Sequence, residues 1–362
     1  MSGRTIMIMA GGTGGHVYPA LALARRLRAR DWQVVWLGTR RGIEARLVPA
    51  EQIPIAWISV GGLRGKSLVT RLAAPFRLLR ALVEARAAIR QYQPAVVVGL
   101  GGFASGPGGV AAWLGRRPLV IHEQNAVAGF TNRCLARLAR RVLAAFPGSF
   151  PERRHAAVIG NPVRVEIASL PPPDERFGRR SGALRILVIG GSQGAIVLNR
   201  IVPQGIARLG GAVKLDVWHQ SGERWLEQAR RFYADAGVSA RVTPYIEDMA
   251  EAYAWADLVI CRSGALTVSE LAAVGLGAVL VPFAAAVDDH QTRNAEFLVR
   301  AGAAVLIPEA ELDPVRLARE LTPLCQGRGR LIVMAGQARA LARPRATEEL
   351  AEACEATARM AA

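Results

Sequence analysis

The chain has 362 residues, 51% of them hydrophobic and 21% charged, which is too apolar for a disordered protein and long enough for two domains of ordinary size. Its four cysteines (Cys134, Cys261, Cys325 and Cys354) lie far apart without a CxxC pair, which argues against a zinc cluster or disulfide framework and fits a reducing compartment. The formal net charge is +17, and the excess lies entirely in residues 1–161, with 23 Lys and Arg against 6 Asp and Glu, whereas residues 162–362 carry 23 of each. Such asymmetry aims the first half at something anionic, whether nucleic acid, an acidic membrane surface or a phosphorylated substrate.

The first element is the apolar run Ile6-Met7-Ile8-Met9, which stops at Ala10-Gly11-Gly12-Thr13-Gly14-Gly15-His16 and turns helical from Ala20. This reads as strand, tight loop and helix. The run is short and has no cleavage-site pattern behind it, so no secretory signal is expected. Four glycines in five positions let a ligand approach the backbone, and the helix start favours an anionic group. His16, at the mouth of this loop, is the candidate base; the alternative is a histidine that merely caps the turn.

Further strands are expected at 33–37, 95–99, 119–121, 142–145 and 157–159, then at 185–189, 215–218, 240–243, 258–261, 278–281 and 304–306, with helices between them. That alternation predicts an α/β chain of two Rossmann-like, doubly wound domains with parallel sheets, facing each other across a ligand cleft. The composition break at Leu170-Pro171-Pro172-Pro173-Asp174 puts the boundary shortly before it. The apolar run Leu271–Val287 approaches membrane-spanning length, but Gly275, Gly277 and Pro282 break it into a helix end, a turn and a buried strand.

Two further glycine clusters follow strands. Gly99–Gly109 is expected to form a long flexible loop, and Gly190-Gly191-Ser192-Gln193-Gly194-Ala195 another strand–loop–helix turn. Neither Gly11–Gly15 nor Gly190–Ala195 matches G-x-G-x-x-G with an acid at the end of the next strand, and none runs into Lys-Ser/Thr, which argues against a nicotinamide dehydrogenase and a P-loop NTPase. Cys261–Glu270 offers another anion site, with Ser263-Gly264 opening a helix and Glu270 two turns in, either to meet sugar hydroxyls or as an ordinary solvated acid. Asp288-Asp289-His290-Gln291 lacks a second ligand set nearby, so no metal is assigned.

The motifs Gly11–His16, Gly99–Gly109, His122-Glu123-Gln124-Asn125, Gly160-Asn161-Pro162-Val163-Arg164, Gly190–Ala195, Arg262–Glu270 and Asp289–Asn294, in this order, resemble the MurG family of peptidoglycan N-acetylglucosaminyltransferases. The resemblance implies the GT-B fold, with an acceptor domain at 1–163, a UDP-GlcNAc domain at 164–338 and a C-terminal helix (339–362) returning to the first domain. It implies inverting transfer of GlcNAc from UDP-GlcNAc to the MurNAc 4-hydroxyl of lipid I, giving lipid II, with no cofactor or metal. His16 and Glu270 would be the catalytic pair, His16 as base or acceptor-orienting group and Glu270 on the ribose hydroxyls. Ser192 and its loop would hold the diphosphate, and Ile246 the uracil through its backbone. Ala265, Leu266, Thr267, Val268 and Ser269 would flank phosphates and sugar, with Gln291 on either. Thr13, Gly14, Gly15 and Asn125 would lie toward sugar and acceptor, and Arg164 would reach the donor. Ile196 stands where relatives commonly carry a basic residue, and Gly277 where they carry proline.

The implied partners are UDP-GlcNAc, lipid I, an anionic inner-membrane surface and other cell-wall synthesis proteins, with the chain peripheral on the cytoplasmic face. The stretch Leu72–Val83, apolar residues interleaved with Arg77 and Arg80, is the expected membrane patch; the alternative is a core-facing helix with a basic edge. The rivals are a UDP-GlcNAc 2-epimerase of the same fold and a nucleic-acid binder. The latter is disfavoured because no aromatic stacking platform accompanies the basic residues.

Overall fold

The computed structural model describes residues 4–61, 74–178, 180–191, 193–211, 213–284 and 289–360. The chain divides into two compact units, Met1–Arg164 with Arg343–Ala362, and Val165–Ala342.

The first unit holds a parallel sheet of seven strands: β1 (Thr5–Ala10), β2 (Gln33–Gly38), β3 (Ile55–Trp57), β4 (Val96–Gly101), β5 (Leu119–Glu123), β6 (Arg141–Ala144) and β7 (Ala157–Val158), in the order β3-β2-β1-β4-β5-β6-β7. The strands are continuous apolar runs because both faces are covered. Along β1, Ile6, Ile8 and Ala10 enter one core layer and Met7 and Met9 the other, as a two-residue repeat requires. The first layer is roofed by the helix Gly14–Arg28 and by the helix Ala346–Arg359, whose Leu350, Ala351, Ala353, Cys354 and Ala358 face it. Arg30 pairs with Glu348 and Glu355 across the same seam.

The second unit repeats the plan with six parallel strands: β8 (Leu184–Ile189), β9 (Leu215–Gln220), β10 (Arg241–Thr243), β11 (Leu258–Cys261), β12 (Gly277–Leu280) and β13 (Ala304–Leu306), in the order β10-β9-β8-β11-β12-β13. Strand order reverses between β1 and β4 in one unit and between β8 and β11 in the other. Those are the points where doubly wound sheets open a crevice at their carboxyl ends, and all four strands end in a glycine-bearing turn.

Two expectations are corrected. β3 was not foreseen: it is a three-residue edge strand behind Pro54, too short to show alternation. Gly99–Gly109 is not a long loop, because β4 runs to Gly101 and a helix, Ser105–Leu114, begins four residues later. Its glycines serve contact: a Cβ on Gly108 would stand 2.3 Å from Met9 Sδ, and one on Gly109 2.7 Å from Leu135 Cδ2. Tight packing overrides the low helix propensity of glycine. The 271–287 run divides at Gly275, which ends the helix Ala265–Val274 in a left-handed conformation before β12; residues 285–287 lie outside the described set. Among the described residues no helix is long and apolar enough to cross a membrane.

Candidate active site

In the first unit, β1 ends at Ala10 and the helix Gly14–Arg28 begins four residues later, so the glycine turn is short and, past the buried Gly11, partly accessible. Its amides are not all on offer to a ligand. Gly12 N–H donates to Glu44 Oε2 at 2.9 Å, and Glu44 Oε1 accepts from the Thr39 N–H and hydroxyl at 3.1 and 2.8 Å. Glu44 is fully buried, so part of the anion this loop holds is the protein's own carboxylate. A second glycine turn closes on the first: Gly102, at φ +82°, has no room for a Cβ, which would sit 2.3 Å from Gly11 O. Ser105 Oγ accepts from Gly101 N–H and reaches the carbonyls of Met9 and Gly101, pinning this turn.

His16 is the third residue of the helix and is half-buried. Its Nδ1 lies 2.9 Å from Gln124 Oε1, and the ring rests against Gly101, where a Cβ would stand 2.7 Å from Nδ1 and Cε1. The capping alternative does not describe it, because the ring is held from β5 and not by the turn. Thr13 is the exposed N-cap without a side-chain bond, and Gly14 and Gly15 form the first helical residues. Asn125 follows β5 and gives both N–H and Nδ2 to Glu123 Oε1, at 2.9 and 3.1 Å. Arg164 closes the unit with its guanidinium 5.2 Å from the Tyr18 ring centroid, one turn along the helix from Gly15. Thr13 to His16, Asn125 and Arg164 thus all belong to the first unit.

In the second unit, Ser192 lies outside the described residues, but its loop is tightly specified around it. Gly194 and Gly222, at φ +71° and +84°, pack backbone to backbone: a Cβ on Gly194 would stand 2.0 Å from Ser221 O, and one on Gly222 2.6 Å from Gln193 O. Gln220 Nε2 ties the loop to Gly191 O at 2.9 Å. Behind it His219 is enclosed, with Nε2 donating to Asn199 Oδ1 at 2.9 Å and Nδ1 accepting from Tyr233 OH at 2.9 Å, while Asn199 Nδ2 donates to Ser221 O. Burial pushes the His219 ring down to about 3, so this brace stays neutral.

The helix Ala265–Val274 follows β11, and its first internal bond is Val268 N–H to Gly264 O at 2.9 Å, so the amides of Ala265, Leu266 and Thr267 project from its N-terminus. Val268 is fully buried and its amide is spent in the helix, and Ser269 Oγ is spent on Ala265 O. Glu270 is not a solvated acid: it is 4% exposed and accepts from Tyr253 OH at 3.0 Å. Gln291 accepts from Phe283 N–H through Oε1, and its carbonyl takes the Ser263 hydroxyl, which joins the loop after β11 to the helix His290–Val299. Ile246 is buried beside the exposed Tyr245, just before Asp248 caps the next helix.

Sequence reasoning assigned no role to Glu44, His122, Gln124, Asn199 or His219. For His122 and Gln124 a signal existed: they flank Glu123 at the end of β5, where extended backbone sends alternate residues to the same side. Glu123 on the opposite face takes Gly129 N–H and Asn132 Nδ2, organising the turn after β5.

Family comparisons agree with this arrangement. The glycosyltransferase family 28 N-terminal domain matches residues 6–144, and the family 28 C-terminal domain matches residues 185–350. A protein of Nitrosococcus oceani called UDP-N-acetylglucosamine–N-acetylmuramyl-(pentapeptide) pyrophosphoryl-undecaprenol N-acetylglucosamine transferase is 58% identical over 96% of this chain and 97% of its own length. The protein of that name from Marinobacter nauticus is 56% identical over 97% of each. The crystal structure of Acinetobacter baumannii MurG superposes with a TM-score of 0.86 at 43% identity, covering 98% of this chain and 99% of that one. With both halves matched and the likeness running nearly end to end, the chain belongs to glycosyltransferase family 28 and, within it, to the MurG transferases.

Proposed function

We propose that the protein transfers GlcNAc from UDP-GlcNAc to the MurNAc 4-hydroxyl of undecaprenyl-diphosphate-linked MurNAc-pentapeptide, forming lipid II with a β-1,4 bond. The observation that carries this reading is the near full-length likeness to relatives whose names state that transfer. His16 Nε2 takes the proton of the acceptor hydroxyl as its oxygen bonds the anomeric carbon, and the bond to the diphosphate breaks with its electrons leaving on UDP. The departing charge falls to the amides of the loop 190–195 with Ser192, and to those of Ala265, Leu266 and Thr267. Glu270 takes ribose hydroxyls, the Ile246 backbone the uracil, and Gln291 offers its NH2 end to sugar or phosphate. Arg164 reaches toward the donor, and Thr13, Gly14, Gly15 and Asn125 line the acceptor side. UDP release from UDP-GlcNAc with and without a short-chain lipid I analogue tests this: release that depends on the lipid is expected. Lipid-independent epimerisation, or no release from protein that binds UDP-GlcNAc, would overturn it.

The same reading places the first unit on an anionic membrane surface. The helix Ala74–Tyr92 buries Ala74, Ala81, Ala85, Ala88 and Ile89, so its core-facing stripe is mostly alanine. In its first turns large apolar residues point out: Phe76 is 77% exposed, Leu79 59% and Val83 61%, with exposed Arg77 and Arg80 between them. Leu72 and Ala73 lie outside the described residues. Burying such side chains in the interface is worth up to about 2 kcal/mol each, and each arginine near anionic lipid about 1 kcal/mol more. The double variant Phe76→Asp, Leu79→Asp is expected to lower sedimentation with phosphatidylglycerol vesicles about tenfold or more, with UDP-GlcNAc binding unchanged. Unaltered vesicle binding would remove this helix from the surface.

A further inference from the structure

The ring of His16 is one end of a buried hydrogen-bond chain whose other end is a backbone carbonyl. His122 Nε2 lies 2.8 Å from Gly160 O, and a carbonyl can only accept, so His122 carries its proton on Nε2. His122 is fully buried with no acid in its hydrogen-bond reach, and its ring is neutral, so Nδ1 is left with a lone pair. Gln124 Nε2 lies 3.1 Å from that Nδ1 and 3.1 Å from the carbonyl oxygen of His122, two acceptors that use both hydrogens of one NH2 group. The amide of Gln124 therefore has one orientation only, with Oε1 turned to His16 Nδ1 at 2.9 Å. An oxygen there requires His16 to donate from Nδ1.

We infer that Gln124 is a positioning residue which, oriented by His122 and Gly160, holds His16 in the Nδ1–H tautomer and so leaves the Nε2 lone pair for the acceptor hydroxyl. This rests on His16 being the base of the proposed transfer. Free imidazole favours the opposite tautomer, with the proton on Nε2, where it could not accept one. The chain overrides that preference without a charged partner: the acceptor facing Nδ1 is an amide. Two glycines keep the ends fixed. Gly101 leaves the space the ring occupies, and Gly160, at φ +88°, turns its carbonyl to His122 while a Cβ there would meet Arg343 Cβ at 2.4 Å. His122, within β5, and Gln124, the first residue after it, form the middle of the relay.

Long-range proton–nitrogen NMR on protein labelled with ¹⁵N-histidine reads the tautomer directly, with the His16 signals assigned by their loss in His16→Ala. Wild type is expected to show the His16 proton on Nδ1 and a bare Nε2. Gln124→Leu is expected to return His16 toward Nε2–H and to lower kcat about ten- to hundredfold, the worth of one hydrogen bond to a histidine that becomes charged, with KM for UDP-GlcNAc unchanged. Gln124→Glu, which keeps an oxygen at Nδ1, is expected to keep the proton there. A wild-type His16 protonated on Nε2 overturns the relay. A His16 protonated on Nδ1 in a protein whose His16→Ala form still turns over would support the relay and overturn His16 as base.

Discussion

His16→Ala lowers kcat by about a hundred- to ten-thousandfold, the usual worth of a positioned general base. The side chain does no structural work that would confound the measurement: it is half-buried, its one hydrogen bond among the described residues is to Gln124, and the helix it sits on is held by Val17, Ala20, Leu21, Leu23, Ala24 and Leu27. The thermal midpoint should therefore move by no more than a few degrees, since removing one partly exposed hydrogen bond costs about 1 kcal/mol. KM for UDP-GlcNAc should stay within about threefold of wild type, because a base acts on the transition state and leaves ground-state binding of the donor alone. Steady-state UDP release at saturating lipid acceptor, with the melting curve as control, makes the measurement. A kcat within tenfold of wild type would assign the proton to another group.

Gly194→Ala abolishes UDP binding and costs about 2–6 kcal/mol, because two penalties add at one atom. The backbone at Gly194 is left-handed, at φ +71°, and the new methyl would lie 2.0 Å from the carbonyl oxygen of Ser221. The first penalty is about 1–3 kcal/mol for a non-glycine residue held in that region, and the second about 1–3 kcal/mol for forcing packed backbone apart. Neither neighbour can yield cheaply. Ser221 is bonded to Thr243 O by its own N–H, and its carbonyl takes Asn199 Nδ2, which His219 holds from behind. Gly191→Ala separates the two effects: at φ +83° it meets nothing within 4 Å, so about 1 kcal/mol of strain is expected and UDP should still bind. Calorimetric titration with UDP on both variants, beside their unfolding curves, decides it. Wild-type affinity in Gly194→Ala would show that this loop shape is not needed by the diphosphate.

Much of the architecture is legible in the sequence because parallel strands buried on both faces leave an unmistakable trace. Ile6-Met7-Ile8-Met9, Val96-Val97-Val98 and Ile186-Leu187-Val188-Ile189 need no partner to be recognised as strands, and the glycine turns that end them mark the switch points of both sheets. The helix Ser105–Leu114 was hidden because Gly106, Gly108 and Gly109 oppose helix formation locally, and Gly108 and Gly109 are there for what Met9 and Leu135 press against them. The site was legible only where chemistry sits on the loop itself. The groups that hold it arrive from far along the chain: Glu44 reaches Gly12 across 32 residues, and Gln124 reaches His16 across 108. Burial likewise separates Val268 from Leu266 and Thr267, and turns Glu270 from a candidate surface acid into an enclosed one, which helical spacing alone does not reveal.

The return of residues 343–362 to the first unit sets an order of events during synthesis. The ribosome finishes all seven strands of the first sheet and then the whole of Val165–Ala342 before the helix Ala346–Arg359 emerges. Until then Leu27, Val98 and their layer are without Leu350 and Cys354, and Gly160 is without the contact of Arg343. The nascent first unit therefore waits with an exposed apolar seam, while the second, continuous in sequence, can close as soon as it clears the exit tunnel. A chain released before residue 346 would carry a finished second unit and a first unit marked, by that open seam, for chaperones and proteases.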